Sequence, residues 1–412
     1  MKRTKYLILG TMIMLLAGTV YTWTIIAKSI SATFPSWSAQ ALSMTFTITM
    51  MGYALGGMAS GIVVRRTGPK PVLAAGAVLF PAGMLIASTA QSPAPLYIGF
   101  GAMCGFAAGL CYNATVSTVS AWFPDRQGVT SGTLLAGFGL SSFIAGKLFA
   151  AFAPADGSRL WAAGLRVLAV LLLAVLAVGI AVMRTPKEGE LVLHTDTADT
   201  VRKKPAREPA CDIPTSAMLR TSSFCLFYIW VSLLTAAGLM LVSQASGIAG
   251  ETAPALSGST IATAVGMISI LNAAGRVCTG IVFDRFGYRV TMLMIITSFG
   301  IAAVTLILAL RTGIFPLLII GFITGGFAYG GNASIIPPLV ADFYGSTWYA
   351  TNMSLVPTNA LFTSFASVLA GRIYDRTHSY MGALFLLAGA VVLSLVIFLA
   401  LRRPEERNKN RE

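Results

Sequence analysis

The stretch Gly61-Ile-Val-Val-Arg65-Arg66-Thr-Gly68-Pro-Lys70 recurs 219 positions later as Gly280-Ile-Val-Phe-Asp284-Arg285-Phe-Gly287-Tyr-Arg289. A second landmark has the same offset, since Asn113-Ala-Thr corresponds to Asn332-Ala-Ser. Two independent matches at one shift indicate that the two halves of the chain repeat each other. The sequence therefore predicts two structurally equivalent halves.

The composition is that of a membrane protein. Of the 412 residues, 56% are hydrophobic and 11% are charged, whereas charged residues make up about 25% of an average soluble domain. A water-soluble enzyme, a disordered chain and a secreted disulfide scaffold are excluded on these grounds. The five cysteines are odd in number and lack CxxC spacing, so we interpret them as reduced and structural.

Twelve apolar runs are long enough to cross a bilayer of roughly 30 Å. A polar segment with four clustered basic residues separates the sixth run from the seventh. We therefore expect an all-α membrane protein with an N-terminal six-helix bundle (1–183), a cytoplasmic linker (184–222), a C-terminal six-helix bundle (223–401) and a tail (402–412). The expected spans are 6–28, 41–64, 71–89, 95–121, 129–153, 162–183, 223–247, 257–283, 289–309, 314–341, 350–374 and 380–401.

The positive charges predict the orientation. An even number of spans places both termini on one side, and the segments on that side hold 21 of the 29 Lys and Arg residues. By the positive-inside rule the termini and the linker are expected in the cytoplasm of a bacterial cell, with the spans in its inner membrane. The first run follows Lys2, Arg3 and Lys5 as in a signal peptide, but it is too long and is expected to be retained. The net charge of +14 is thus an orientation signal, and no nucleic-acid partner is expected.

The second copy of the repeated stretch, with Gly280, Asp284, Arg285, Gly287 and Arg289, resembles the cytoplasmic loop motif of the major facilitator superfamily. The resemblance implies two six-helix halves that rock about a central cavity. Its glycines permit a tight turn, and its charged residues can hold neighbouring helix ends. The first copy departs from the motif, because Arg65 stands where the family usually has Asp.

Four further runs resemble monocarboxylate transporters and oxalate:formate antiporters within that superfamily. They are Tyr21-Thr-Trp23 with Lys28-Ser29-Ile30, Trp122-Phe123-Pro124-Asp125-Arg126-Gln-Gly128, Asn272-Ala-Ala-Gly275-Arg276 and Gly371-Arg372-Ile-Tyr374-Asp375-Arg376. The resemblance implies that Arg276 binds the substrate carboxylate. It also has two departures. Asn359 stands where the oxalate:formate antiporter has a lysine, which argues against a dicarboxylate, and Asn272 stands where many monocarboxylate transporters have an aspartate, which puts proton coupling through that position in doubt.

Arg276 is the residue most clearly placed for binding. It precedes Asp284 by eight residues, about 12 Å along a helix, and so lies well inside the bilayer. An arginine there costs on the order of 2.5–3.5 kcal/mol and needs a partner, yet no Asp or Glu is evident at matching depth. The expected partner is the carboxylate of the cargo, held by the planar guanidinium. A permanent bond to helix carbonyls or to Asn272 is the alternative.

Several other residues are candidates for the same cavity. Lys28 either attracts anions from outside or extends its amine to the outer headgroups, and for Lys147 the second role is favoured. The same resemblance implies further hydroxyl, amide and aromatic groups that could shape the cavity, from Tyr21, Tyr112, Asn113, Tyr329, Asn332 and Asn359. By their repeat positions Asn113 and Asn332 are expected to face each other across the cavity, although interhelical hydrogen bonds or ordinary packing would explain them equally well.

The expected function is secondary transport of a small monocarboxylate of the lactate, pyruvate or formate type, by proton symport or by exchange. The alternatives are a dicarboxylate antiporter of the oxalate:formate type and a membrane sensor that binds without transporting. No cofactor, metal site or enzymatic activity is expected. The partners are the anion, the lipid bilayer and, for symport, a proton, and we expect a monomer.

Overall fold

The computed structural model describes residues 3–37, 39–152, 160–186, 190, 209–254 and 258–404. Most of the expected linker and tail, at 187–189, 191–208 and 405–412, lies outside the described residues. Twelve helices in the described part are long and apolar enough to cross a membrane. This confirms the all-helical fold with twelve spans that the sequence predicts.

The first half contributes six spanning helices, α1 to α6. Helix α1 (4–33) consists of Thr4–Ala17, a 3-10 segment Gly18–Thr22 and Trp23–Thr33. The others are α2 Ala39–Thr67, α3 Pro69–Ser88, α4 Pro93–Trp122, α5 Gln127–Phe152 and α6 Trp161–Val182. Within α4, Leu96–Cys104 is a π-helix.

The second half contributes α7 to α12, after a single helical turn Thr215–Met218. These helices are α7 Ser222–Thr252, α8 Gly258–Phe286, α9 Tyr288–Thr312, α10 Phe315–Tyr344, α11 Tyr349–Thr377 and α12 Met381–Ala400. The helix bounds differ from the expected spans by a few residues, mainly because the spanning helices extend past their apolar cores.

Prolines interrupt two helices of the second half. Helix α10 breaks at Ile335 between Phe315–Ser334 and Ile336–Tyr344, immediately before Pro337 and Pro338. Helix α11 contains a 3-10 segment Val356–Asn359 that includes Pro357. A proline has no N–H to donate and its ring collides with the preceding turn, so regular α-helical hydrogen bonding cannot continue through it.

The repeated stretch forms the same sharp turn in both halves. Gly68 connects α2 to α3 with φ +80°, and Gly287 connects α8 to α9 with φ +79°. Side chains with a Cβ avoid this region of backbone conformation, so glycine is favoured at both positions. The two turns explain why this part of the repeat stays recognisable between halves.

The two halves meet near the face on which Arg3 and Arg403 lie. Arg3 forms an ion pair with Asp125 in the α4–α5 loop, and Arg403 pairs with Asp342 at the end of α10. Helix α5 packs on α8, and the first part of α11 packs on α2. We call the side marked by Arg3, Asp125 and Asp284 the terminal face. The conformation is closed by interhelical contacts on that side.

Candidate substrate-binding site

Arg276 lies between the two halves. It belongs to α8 and is 9% exposed. Its Nε donates a hydrogen bond to Oδ1 of Asn272, one turn earlier, over 3.0 Å. Its Nη1 donates to the backbone carbonyl of Leu135, which is on α5 in the opposite half. The guanidinium therefore has one neutral acceptor from each half, as the alternative of a bond to a helix carbonyl or to Asn272 requires.

The charge of Arg276 has no protein counter-ion among the described residues. The ion pairs in that part of the chain join Arg3 and Arg126 to Asp125, Arg184 to Glu190, and Arg403 to Asp342. Both partners of Arg276 are uncharged, so hydrogen bonding satisfies two of its nitrogens but leaves the charge uncompensated. A charge in this position favours an anionic ligand.

Phenol groups lie within electrostatic range of the guanidinium. They are Tyr21, Tyr53, Tyr112 and Tyr329, which come from α1, α2, α4 and α10. The sequence predicts Tyr21, Tyr112 and Tyr329 as cavity residues, and the rings of the first two both pack on Phe138. Their hydroxyls can donate hydrogen bonds to an anion, and their rings limit its size.

Two aromatic residues of this cluster were missed by sequence reasoning. The Tyr53 ring packs edge-on against Tyr112 with centroids 5.5 Å apart, and the Phe138 ring lies 5.4 Å from that of Tyr112 and 5.5 Å from that of Tyr21. The repeat offers a signal for Tyr53, because the offset of 219 positions maps it onto Asn272. No comparable signal marks Phe138, which is one apolar residue among many in α5.

The amides of Asn113 and Asn332 form hydrogen bonds to neighbouring helices. Asn113 Nδ2 donates to the carbonyls of Gly57 (2.9 Å) and Ala350 (3.1 Å). Asn332 Nδ2 donates to the hydroxyl of Thr235 over 2.9 Å. Each amide is thus engaged in interhelical hydrogen bonds, which is the alternative to the prediction that Asn113 and Asn332 face each other across the cavity. Such bonds satisfy polar groups that lipid cannot solvate.

Asn359 donates a hydrogen bond from Nδ2 to the same Thr235 hydroxyl over 3.4 Å, and it is 5% exposed.

The two lysines complete the set of candidates. Lys28 lies in the Trp23–Thr33 segment of α1, but its side chain is outside the described part. The Nζ of Lys147 lies 4.4 Å from the Phe143 ring centroid, one turn earlier on α5.

The repeated stretch holds helix ends at the terminal face. The two carboxylate oxygens of Asp284 accept hydrogen bonds from the backbone N–H groups of Gly128 (2.7 Å) and Val129 (2.8 Å). These groups belong to the first turn of α5, whose N–H groups lack intrahelical acceptors and carry positive partial charge. Asp284 therefore joins the second half to the first.

The equivalent contact in the first half has different chemistry. Arg65 occupies the position of Asp284, and its Cζ lies 3.1 Å from the ring centroid of Trp348, which directly precedes α11. The missing carboxylate is thus replaced by a cation–π contact. Of the other motif residues, Arg285 lies near the Phe286 ring, and Arg289 Nε donates to the Tyr288 hydroxyl over 3.1 Å.

Known proteins share this architecture. Among similar sequences, the uncharacterized MFS-type transporter YhjX of Escherichia coli (strain K12) is 26% identical over 367 residues, covering 86% of this chain and 84% of that protein. The oxalate:formate antiporter of Oxalobacter formigenes is 26% identical over 359 residues, covering 85% and 79%. Monocarboxylate transporter 13 of Rattus norvegicus is 24% identical over 364 residues, covering 87% and 77%.

The structure of the E. coli fucose:proton symporter has the same fold, with a TM-score of 0.71 at 13% identity, and the match covers 98% of this chain and 100% of that chain. The family model of the Major Facilitator Superfamily matches residues 7–359. With twelve spanning helices and this match over most of its length, the chain belongs to the major facilitator superfamily of membrane transporters.

Proposed function

We propose that this protein transports a small monocarboxylate, of the lactate, pyruvate or formate type, across the cell membrane. The observation that carries the proposal is the guanidinium of Arg276, which is buried between the halves and hydrogen bonds only to neutral groups among the described residues. An anionic cargo supplies the missing charge. The names of two relatives, an oxalate:formate antiporter and a monocarboxylate transporter, support the same substrate class.

The carboxylate would bind to Arg276 through two parallel hydrogen bonds, which the planar guanidinium is shaped to donate. The phenols of Tyr21, Tyr53, Tyr112 and Tyr329 would orient the bound anion and exclude bulky substituents. Lys28, near the opposite end of α1 from the terminal face, would raise the local concentration of anions at the cavity entrance.

A single buried cation favours a monocarboxylate over a dicarboxylate. Asn359, where a second cation would serve a second carboxylate, is a neutral amide bonded to Thr235. A dicarboxylate bound at Arg276 would leave one charge uncompensated in a low-dielectric cavity, which is costly. Counterflow of oxalate against formate tests this directly, and robust oxalate exchange would favour the dicarboxylate antiporter instead.

Transport would proceed by rocking of the two six-helix bundles, 1–183 and 223–401. Because most positive charges lie on the terminal face, we assign that face to the cytoplasm. The described conformation is then closed to the cytoplasm by the contacts of Asp284 and Arg65 and receives substrate from outside. After the anion binds, opening of these contacts and closure of the outer side would release it into the cell.

The test is uptake of radiolabelled lactate, pyruvate and formate into proteoliposomes. We expect Arg276→Ala to reduce uptake of the transported anion at least about 100-fold, since it removes a charge-assisted bidentate contact, and Arg276→Lys to retain only part of the activity. Arg311→Ala is the matched control, because Arg311 is an exposed residue at the far end of α9. Unchanged monocarboxylate uptake by the Arg276→Ala protein would overturn the assignment.

A further inference from the structure

Neutral groups line the surroundings of Arg276. The guanidinium hydrogen bonds to the amide of Asn272 and to the Leu135 carbonyl, and the phenols from α1, α2, α4 and α10 lie within electrostatic range of it. A phenol has an ordinary pKa near 10 and stays protonated at neutral pH. In the sequence of the twelve spanning helices the acids are Glu251, Asp284, Asp342 and Asp375, each one or two residues from the end of its helix, and there is no histidine.

Among the side chains that the structure describes, none next to Arg276 is therefore suited to take up or release a proton during transport. Coupling by symport needs a group that titrates near neutral pH and senses occupancy of the site. In its absence the charge of Arg276 can be compensated only by the transported anion. The loaded protein is neutral at this point, and the empty protein keeps an uncompensated charge.

The empty protein is also tied across its two halves. Arg276 of α8 donates to the carbonyl of Leu135 of α5, and α5 comes this close because two of its residues are glycines. A Cβ at position 132 would lie 2.6 Å from the Arg276 carbonyl oxygen, and one at position 139 would lie 3.0 Å from Cζ of the guanidinium. Gly139 is thus a positioning residue that lets the guanidinium lie flat on α5.

We propose, resting on the proposed function, that the protein is an obligatory exchanger in which Arg276 ties the halves together until a carboxylate replaces the Leu135 carbonyl. The carboxylate is the stronger acceptor because the hydrogen bond then joins two opposite charges. Loading releases α5 from α8 and neutralises the charge, so the halves can rock. Without a bound anion, the hydrogen bond between Arg276 and Leu135 and the uncompensated charge both prevent the halves from rocking. The binding site therefore changes sides again only after another anion has bound.

The experiment compares uptake of radiolabelled monocarboxylate into proteoliposomes that are either empty or preloaded with the same unlabelled anion. We expect initial uptake at least about tenfold faster into preloaded vesicles, because breaking a charge-assisted hydrogen bond is expected to slow the return of the empty protein by that order. A pH gradient, acidic outside, should leave the preloaded rate unchanged. The membrane potential is clamped with K⁺ and valinomycin.

Each outcome is distinct. Uptake in neither kind of vesicle defeats the proposed function itself. Uptake into empty vesicles at a rate equal to the preloaded rate, or accelerated by the pH gradient, defeats obligatory exchange and leaves monocarboxylate transport standing. Faster uptake on preloading, without dependence on the pH gradient, supports both.

Gly139→Ala tests the tie itself. The new methyl group would press on the guanidinium and move it by a few tenths of an ångström from the Leu135 carbonyl, so we expect the preloaded-to-empty uptake ratio to fall at least about threefold, as for a weakened hydrogen bond. Gly266→Ala, on the same helix as Arg276, is the control, because a Cβ there meets nothing within 4 Å. An unchanged ratio, or parallel loss of both rates, would refute the role of the tie.

Discussion

Arg65 and Asp284 occupy equivalent places in the two halves, yet they hold the neighbouring helix by opposite means. Asp284 accepts two hydrogen bonds from the first turn of α5. An arginine has only donors and its positive charge is repelled by a helix N-terminus, so Arg65 cannot cap α11 in that way. It contacts the ring of Trp348, just before α11, instead. The difference between Arg65 and Asp284 thus changes the chemistry of the contact with the neighbouring helix but not its place in the repeat.

Trp348→Ala should weaken closure of the terminal face. Loss of a cation–π contact at an exposed site is worth roughly 0.5–1 kcal/mol, so the population open at this face should rise about two- to fivefold. The measurement is the distance distribution between spin labels at exposed positions 70, in the first half, and 220, directly before α7 of the second half, in a variant without native cysteines.

Trp348→Phe is the matched control, since it keeps an aromatic face for Arg65 and should shift the distribution less. Equal shifts for the two variants would mean that the bulk of the indole, and not its interaction with the guanidinium, closes this contact.

Helices α2 and α11 approach closely at Gly61, just as α8 and α5 do at Gly280. A Cβ at position 61 would lie 2.6 Å from the Ala350 carbonyl oxygen, and one at position 280 would lie 2.1 Å from the Gly128 carbonyl oxygen. Small residues allow backbones to meet in this way. The same position of the repeat therefore forms a close backbone contact between the halves in both helix pairs, α2 with α11 and α8 with α5.

Gly61→Ala should disrupt the contact between α2 and α11. The methyl group would collide with backbone and with the Ser354 side chain, and such overpacking typically costs about 1–3 kcal/mol. We expect the protein to open at the terminal face or to lose thermal stability, measured by the same label distances and by the apparent melting temperature in detergent.

Gly57→Ala, one turn earlier on α2, is the control, because the nearest atom to a Cβ there is the Gly109 carbonyl oxygen at 4.0 Å. Indistinguishable behaviour of the two variants would show that the close approach at Gly61 contributes nothing to closure.

At the scale of the whole molecule, the asymmetric distribution of 29 basic residues predicts which way the protein inserts. The segments expected on the side of the termini hold 21 of them, and basic segments resist transfer across the membrane during insertion. On this prediction the face that is closed in this conformation is the cytoplasmic one.

Fusions to the C-terminus test this orientation. Green fluorescent protein, which becomes fluorescent in the cytoplasm, should be active at residue 412, whereas alkaline phosphatase, which needs the periplasm, should be inactive there. A phosphatase inserted in the α1–α2 loop, after residue 37, serves as the positive control. Phosphatase activity at residue 412 would reverse the assignment of faces.

The amino-acid sequence by itself determined the twelve spans, the repeat and the position of a lone arginine at depth. These are local properties. The length of an apolar run, a glycine turn at Gly68 or Gly287 and the distance from Arg276 to Asp284 all depend on residues that are close together in the sequence. The resemblance to monocarboxylate transporters added the proposed role of Arg276 and three of the phenols proposed for its site.

Only the tertiary structure decided what meets Arg276. Leu135 contributes a backbone carbonyl. Every residue has one, so the sequence does not show which carbonyl will accept the hydrogen bond. Tyr53 and Phe138 reach the site through packing of α2 and α5, and the amide of Asn113 is taken up by Gly57 and Ala350. Contacts between residues more than 100 positions apart depend on how helices pack against one another, and the periodicity of a single helix contains no information about its neighbour.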